Sequence, residues 1–161
     1  MHRVPLLASV RQLVPALLPF AVACYDHPTC LFGDGFTIQS TRGVQQGDVL
    51  GPALFALSIQ PVLLKLQELE LNFQGWYLDD GVLCGPLDVL QEAFDLAQNS
   101  FEHLGLSVNA EKCKLFLPTD DPVSLELFSG VPRVSASQGV IVLGVPIGSD
   151  SYIAVFFAEQ A

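Results

Sequence analysis

Two adjacent acids in Tyr77-Leu78-Asp79-Asp80 are the residues in this sequence best suited to chemistry. Short apolar runs flank Asp79-Asp80-Gly81 between Phe73 and Cys84, which is the composition of a tight β-hairpin with both carboxylates at its tip. Side-chain and backbone oxygens presented at such a point can converge on Mg²⁺, a hard cation that prefers oxygen ligands and phosphate partners. Asp-Asp-Gly is also good turn chemistry with no ligand, so spacing alone leaves both readings open.

A second candidate runs from Arg42 to Pro52, Arg-Gly-Val-Gln-Gln-Gly-Asp-Val-Leu-Gly-Pro. Glycines at 43, 47 and 51 let the backbone come close to a ligand, while Arg42 and Gln46 can supply hydrogen bonds. The bland alternative is a glycine-bearing loop in which Asp48 caps the following helix.

The elements that must position these groups can be read from periodicity. Leu6, Leu7, Val10, Leu13, Val14, Leu17 and Leu18 follow helical spacing, with Pro15 and Pro19 as punctuation, giving a helix or helix pair over residues 4–25. Leu31-Phe32 and Phe36-Thr37-Ile38 flank Gly33-Asp34-Gly35, a hairpin in which Asp34 is a turn residue. A helix is expected over 53–71, and another over 86–104 with Gly105 as its stop. Short strands are expected at 106–108, 113–117 and 140–145, with a turn-rich segment at 118–122. These elements make an α+β domain in which an antiparallel sheet bearing the acid hairpin packs on helices.

Composition narrows the setting. A chain of 161 residues is long enough for one domain with a substantial core. Half its residues are apolar and only 15% are charged, so several faces are expected to need cover. A net charge of −10 with seven Lys and Arg counts against a self-sufficient nucleic-acid binder, because neutralising phosphates takes cations. Cys24, Cys30, Cys84 and Cys113 have neither zinc-ligand spacing nor a disulfide framework and read as reduced core thiols. His2 and Arg3 before the apolar run loosely imitate a secretory leader, but Arg11, Gln12, Pro15 and Pro19 interrupt it, and no stretch reaches the ~20 apolar residues of a membrane span. No membrane role and a cytoplasmic or nuclear location are expected.

Taken together, the two motifs resemble the reverse-transcriptase family, most closely its non-LTR retrotransposon and group II intron branches. Arg42 to Leu57 is similar to motif B of that family and Tyr77 to Asp80 to motif C, in the right order and at a fitting separation. Residues 104–112 resemble motif D, and Val142-Leu143-Gly144-Val145 resembles the Leu-Gly core of motif E. The resemblance implies a partial polymerase palm whose family chemistry is RNA-templated DNA synthesis, with Mg²⁺ as cofactor and an RNA template and DNA primer as partners. It implies that Asp79 and Asp80 are catalytic metal ligands, that Tyr77 stands beside the primer end, and that Arg42, Gln46 and Gly47 lie against template and nucleotide. Lys112 would assist proton transfer to the leaving pyrophosphate, although a lysine after a turn can equally be a solvated one, and Leu143 and Gly144 would grip the primer.

Val49 stands where the family usually has proline. Motif A, which in this family precedes motif B and supplies a further carboxylate, has no match here, since Met1-His2-Arg3 reads as starting just beyond it. Asp26 and Asp34, the only acids before Arg42, do not sit in a matching apolar strand pattern. The expectation is therefore one partial palm domain over 1–161, without fingers, motif A or thumb, inactive alone and dependent on an upstream polymerase segment. The alternative is a non-catalytic remnant that docks another protein through exposed apolar faces. A Mg²⁺-dependent hydrolase built on Asp79-Asp80 would lack a general base or nucleophile.

Overall fold

A computed structural model describes residues 1–45, 47–118 and 127–160. It has two compact units, residues 1–108 and 109–161. The first opens with α1 (Arg3–Leu13), a 3₁₀ turn at Pro15–Leu17 and α2 (Leu18–Tyr25), the proline-punctuated helix pair that the periodicity requires. Next comes the hairpin of β1 (Thr29–Gly33) and β2 (Phe36–Ser40), closed by the two-residue turn Asp34-Gly35. Then follow α3 (Gly51–Gln67), the hairpin of β3 (Phe73–Tyr77) and β4 (Asp80–Cys84), and α4 (Leu87–His103).

Helix α3 is apolar on more than one side, and it uses two stretches of its length on two different clusters. Near its start, Leu54 is buried with Leu6 and Val10 of α1 and Ala21 and Tyr25 of α2. Further along, Ile59, Val62 and Leu66 are buried with Ala93, Ala97 and Phe101 of α4. Pro61, which has no N–H to give to the helix ladder, lies in this second stretch. The β3–β4 hairpin seats Trp76 and Leu83 against the second cluster, and Trp76 meets Phe101 edge to face with ring centroids 5.7 Å apart.

Helix α4 ends as its sequence predicts. The amide of Gly105 donates to the Glu102 carbonyl at 2.8 Å and that of Leu106 to the Phe101 carbonyl at 2.9 Å, which satisfies carbonyls left open at the helix terminus. Leu106 and Val108 are not a strand; they continue into the α3–α4 cluster as packing residues.

The second unit carries β5 (Leu115–Leu117) paired in parallel with β6 (Arg133–Ser135). An antiparallel hairpin of β7 (Val140–Val142) and β8 (Val145–Ile147) follows, then α5 (Asp150–Gln160). Most of the expected turn-rich segment at 118–122 lies outside the described residues.

The fold is α+β with antiparallel hairpins and packed helices. Among the described residues the strands form separate two-stranded pairs, not one continuous sheet, and one pair is parallel. In the first unit the acid hairpin takes its burial from α3 and α4 in place of neighbouring strands. The cysteines also differ from expectation: all four are free, but Cys30 and Cys84 are exposed and Cys24 and Cys113 only half-buried.

Candidate functional site

Tyr77 and Asp80 face each other as the last pair of the β3–β4 ladder, leaving Leu78 and Asp79 as a two-residue turn. Such turns match the twist of the strands only with a left-handed residue, and Leu78 takes that conformation at φ 54° although it is not glycine. A leucine held there stores roughly 1–2 kcal/mol of strain, which docking of the hairpin through Trp76 and Leu83 must hold in place. The result is an exposed tip bearing Tyr77, Asp79 and Asp80.

Neither carboxylate at this tip has an ion-pair partner among the described residues. Their hard oxygens are free to take a divalent cation, so the donor chemistry fits Mg²⁺. The fit is partial, because no group of three or more His, Cys, Asp or Glu side chains gathers into a metal site among the described residues.

The 42–50 loop is built differently. Gly43 and Gly47 have φ of 65° and 87°, and open space stands where their side chains would be. They serve the turn of the backbone and leave its face uncovered. Gly51 is instead buried, where a methyl group would come within 3.3 Å of the Gln45 carbonyl. Gln46 lies outside the described residues. Arg42 is exposed at the mouth of a cleft of about 530 Å³ that His2, Tyr25, His27 and Thr41 also line.

Asp48 does more than precede a helix. One carboxylate oxygen accepts the Leu50 amide at 2.9 Å, and the other accepts a short hydrogen bond from the hydroxyl of Tyr25. That hydroxyl in turn accepts the Gln45 amide at 3.2 Å, and the Gln45 side chain donates to Thr29 Oγ1 at 2.6 Å. The Tyr25 bond, then the Leu50 amide, hold the Asp48 carboxyl below its ordinary range. Burial, then the hydrogen bond to Asp48, push the Tyr25 phenol up.

Arg3 completes this network and is buried although it lies near the start of the sequence. It is 8% exposed, stacks over the Tyr25 ring at 5.3 Å, and donates to the His27 carbonyl at 3.0 Å, Ser40 Oγ at 2.9 Å and the Gly43 carbonyl at 3.3 Å. Sequence reasoning missed Arg3 and Tyr25. Nothing in their spacing marks them: they are an arginine at the start and a tyrosine at the end of a helix pair that already carries Arg11 and Gln12.

The remaining candidates belong to the second unit. Lys112 is exposed in a turn where its amide donates to the Asn109 carbonyl at 3.1 Å. Leu143 and Gly144 form the β7–β8 turn, with Leu143 left-handed at φ 49° and 61% exposed. The structure thus brings Tyr77, Asp79 and Asp80 together on one hairpin and Arg42 and Gly47 onto one loop.

An α+β fold that presents paired aspartates on a helix-backed hairpin, following in sequence a glycine loop that opens a long helix, is the class of protein these features define. The sequence matches the family described as reverse transcriptase (RNA-dependent DNA polymerase) over residues 4–147, and the chain belongs to that family. It is also similar to the retrotransposable element SLACS 132 kDa protein of Trypanosoma brucei gambiense, at 38% identity over 87 residues, which are 53% of this chain and 7% of that protein. No solved structure matches. The family consists of nucleotidyltransferases that generally use divalent metals and bind an RNA template and a DNA primer. No helix among the described residues is long and apolar enough to cross a membrane.

Proposed function

We propose that this chain contributes the palm portion of a retrotransposon-type reverse transcriptase, with Asp79 and Asp80 as part of its Mg²⁺ site. The observation that carries this reading is the exposed Tyr77–Asp80 tip, which presents two carboxylates without an ion-pair partner among the described residues, on a hairpin held by Trp76 and Leu83. Mg²⁺ bound there would neutralise the charge that develops on the phosphates during nucleotidyl transfer.

The chain's own residues would do the rest. Asp79 and Asp80 supply oxygen ligands, Tyr77 offers its exposed ring to the primer end, and Arg42, Gln46 and Gly47 lie against template and nucleotide. Gln74 donates to the Leu63 carbonyl at 3.3 Å, which ties the start of β3 to α3, the helix that the glycine loop opens. Lys112 would assist proton transfer to pyrophosphate, and Leu143 with Gly144 would touch the primer. With such partners the chain would work in the cytoplasm or nucleus.

Two carboxylates make an incomplete clamp for a pair of ions, and much of the ions' charge would stay uncompensated. The 161-residue chain alone is therefore expected to give no primer extension with Mg²⁺ or Mn²⁺. Fused to a segment bearing fingers and motif A, and to a thumb, it should extend a DNA primer on an RNA template. That activity should vanish with Asp79→Ala; extension that survives the substitution would remove Asp79 from the site. A non-catalytic docking module is the second reading, favoured by the exposed Phe32 and Phe36 of the β1–β2 hairpin.

A further inference from the structure

We infer that Arg3 and Tyr25 are positioning residues that hold Gly43, Gln45 and Asp48 in their substrate-facing pose, an inference that rests on the reading of their loop as the template and nucleotide face. Their polar contacts reach loops more than they knit the helices. Arg3 donates to the carbonyls of Gly43 and His27 and to Ser40 Oγ, and Tyr25 takes the Gln45 amide and gives its proton to Asp48. These links cross 20 to 40 residues of sequence, and both side chains are buried, Tyr25 at 1% and Arg3 at 8% exposure.

The loop adds outside support to the backbone hydrogen bonds it makes within itself, from the Asp48 amide to the Gln45 carbonyl and from the Gly51 amide to the Asp48 carbonyl. Gly43 and Gly47 offer no side chains and face open space. Val44 packs against the α1–α2–α3 cluster and the Gly43 amide donates to the Met1 carbonyl at 2.9 Å; the rest of the hold is polar, the Gln45 amide on Tyr25, the Gln45 side chain on Thr29, and the Asp48 carboxylate shared between Tyr25 and the Leu50 amide. The guanidinium of Arg3 is planar and forked, so it can stack on the Tyr25 ring while serving three acceptors, which a lysine ammonium cannot reproduce. Arg3 thus holds the ring, and the ring's hydroxyl holds the loop. Release of the hydroxyl would free the Gln45 amide and the Asp48 side chain together, while the buried ring kept its place in the α1–α2–α3 cluster.

The test compares the full chain with its Tyr25→Phe and Arg3→Lys variants by residue-resolved amide hydrogen exchange, and by fluorescence anisotropy with a labelled RNA template–DNA primer duplex at low salt. Tyr25→Phe should speed exchange at Gln45 at least tenfold and Arg3→Lys, which loosens the hold on the Tyr25 ring, should speed it there to a smaller extent, with Ala97 and Phe101 of α4 unchanged. Both should weaken duplex binding several-fold, while Arg11→Ala on exposed α1 surface should do neither. Unchanged exchange at Gln45 in Tyr25→Phe overturns the positioning role, and faster exchange with wild-type duplex affinity overturns its link to substrate. If the wild-type chain binds no duplex, the functional reading of the loop fails, and the positioning role stands or falls on the exchange result. Should Tyr25→Phe also loosen α4, Asp48→Ala leaves Tyr25 in the core and removes the acceptor that fixes its hydroxyl; faster exchange at Gln45 then supports the positioning role, and unchanged exchange overturns it.

Discussion

Leu78 occupies a backbone region that L-residues avoid, at the tip where two carboxylates must be displayed. Asparagine accepts left-handed φ because its short polar side chain bonds locally, whereas a β-branched residue clashes there. Leu78→Val should therefore destabilise the chain by about 1 kcal/mol relative to Leu78→Asn, the reverse of the order hydrophobicity would give. Urea unfolding of the two variants decides it, and equal midpoints would mean that the turn carries no strain. Tyr25 and Asp48 give a pH signature at the same scale. The Asp48 carboxyl is held down, so its contribution is present above the unfolded value of about 4 and is lost as pH falls through the lower folded value. The Tyr25 phenol is pushed up, so its contribution is present below about pH 10 and is lost as pH rises through the higher folded value. Stability should be flat between these limits as far as this pair is concerned, and Tyr25→Phe should remove the alkaline fall. An unchanged alkaline limb in that variant would place the loss elsewhere.

The β3–β4 hairpin has no neighbouring strand among the described residues, so its stability comes from docking on α3 and α4. Phe101→Ala removes the ring on which Trp76 rests and should cost about 3–5 kcal/mol. Trp76 is the only tryptophan in the sequence, so its emission should shift to the red in that variant; emission that stays put while the chain remains folded would mean the hairpin docks without this contact. Elements of this kind were legible in the sequence. The 3.6-residue period and Gly105 located α4, the Gly33-Asp34-Gly35 turn located the first hairpin, and Asp79-Asp80-Gly81 located the second. What was not legible is what only tertiary contact creates. Leu106 and Val108 alternate like a strand, yet they pack against α3 and α4 because α4 ends beside that cluster. Asp48 reads locally as a cap, while half of its bonding goes to a tyrosine 23 residues earlier. Arg3 reads as a charge before an apolar run, and its partners lie up to 40 residues away. Family resemblance found the hairpin and the loop; it gave no hint of the residues that hold the loop.

At the scale of the whole molecule, apolar surface and net charge pull in opposite directions. Both strands of the β1–β2 hairpin present large apolar side chains to solvent: Phe32 is 83% exposed and Phe36 58%, with Leu31 and Ile38 beside them. A two-stranded hairpin also leaves backbone donors and acceptors unpaired along both outer edges, which invites another strand. The hairpin's own charge is slight, since Asp34 at its turn is the sole ionic side chain between Thr29 and Ser40. Opposing association is the net charge of −10, whose repulsion acts between whole chains and reaches only about 10 Å at 0.1 M salt. Self-association should therefore grow as salt rises, because screening removes the long-range repulsion and leaves the short-range apolar and edge contacts intact. Size-exclusion chromatography with light scattering, at micromolar concentration across a salt series, measures this directly. Phe32→Lys and Phe36→Lys, on exposed positions, should keep the chain smaller at high salt without lowering its unfolding midpoint. A wild-type chain that stays monomeric throughout the series, or one whose association weakens with salt, would show that charge contacts and not the apolar hairpin govern assembly.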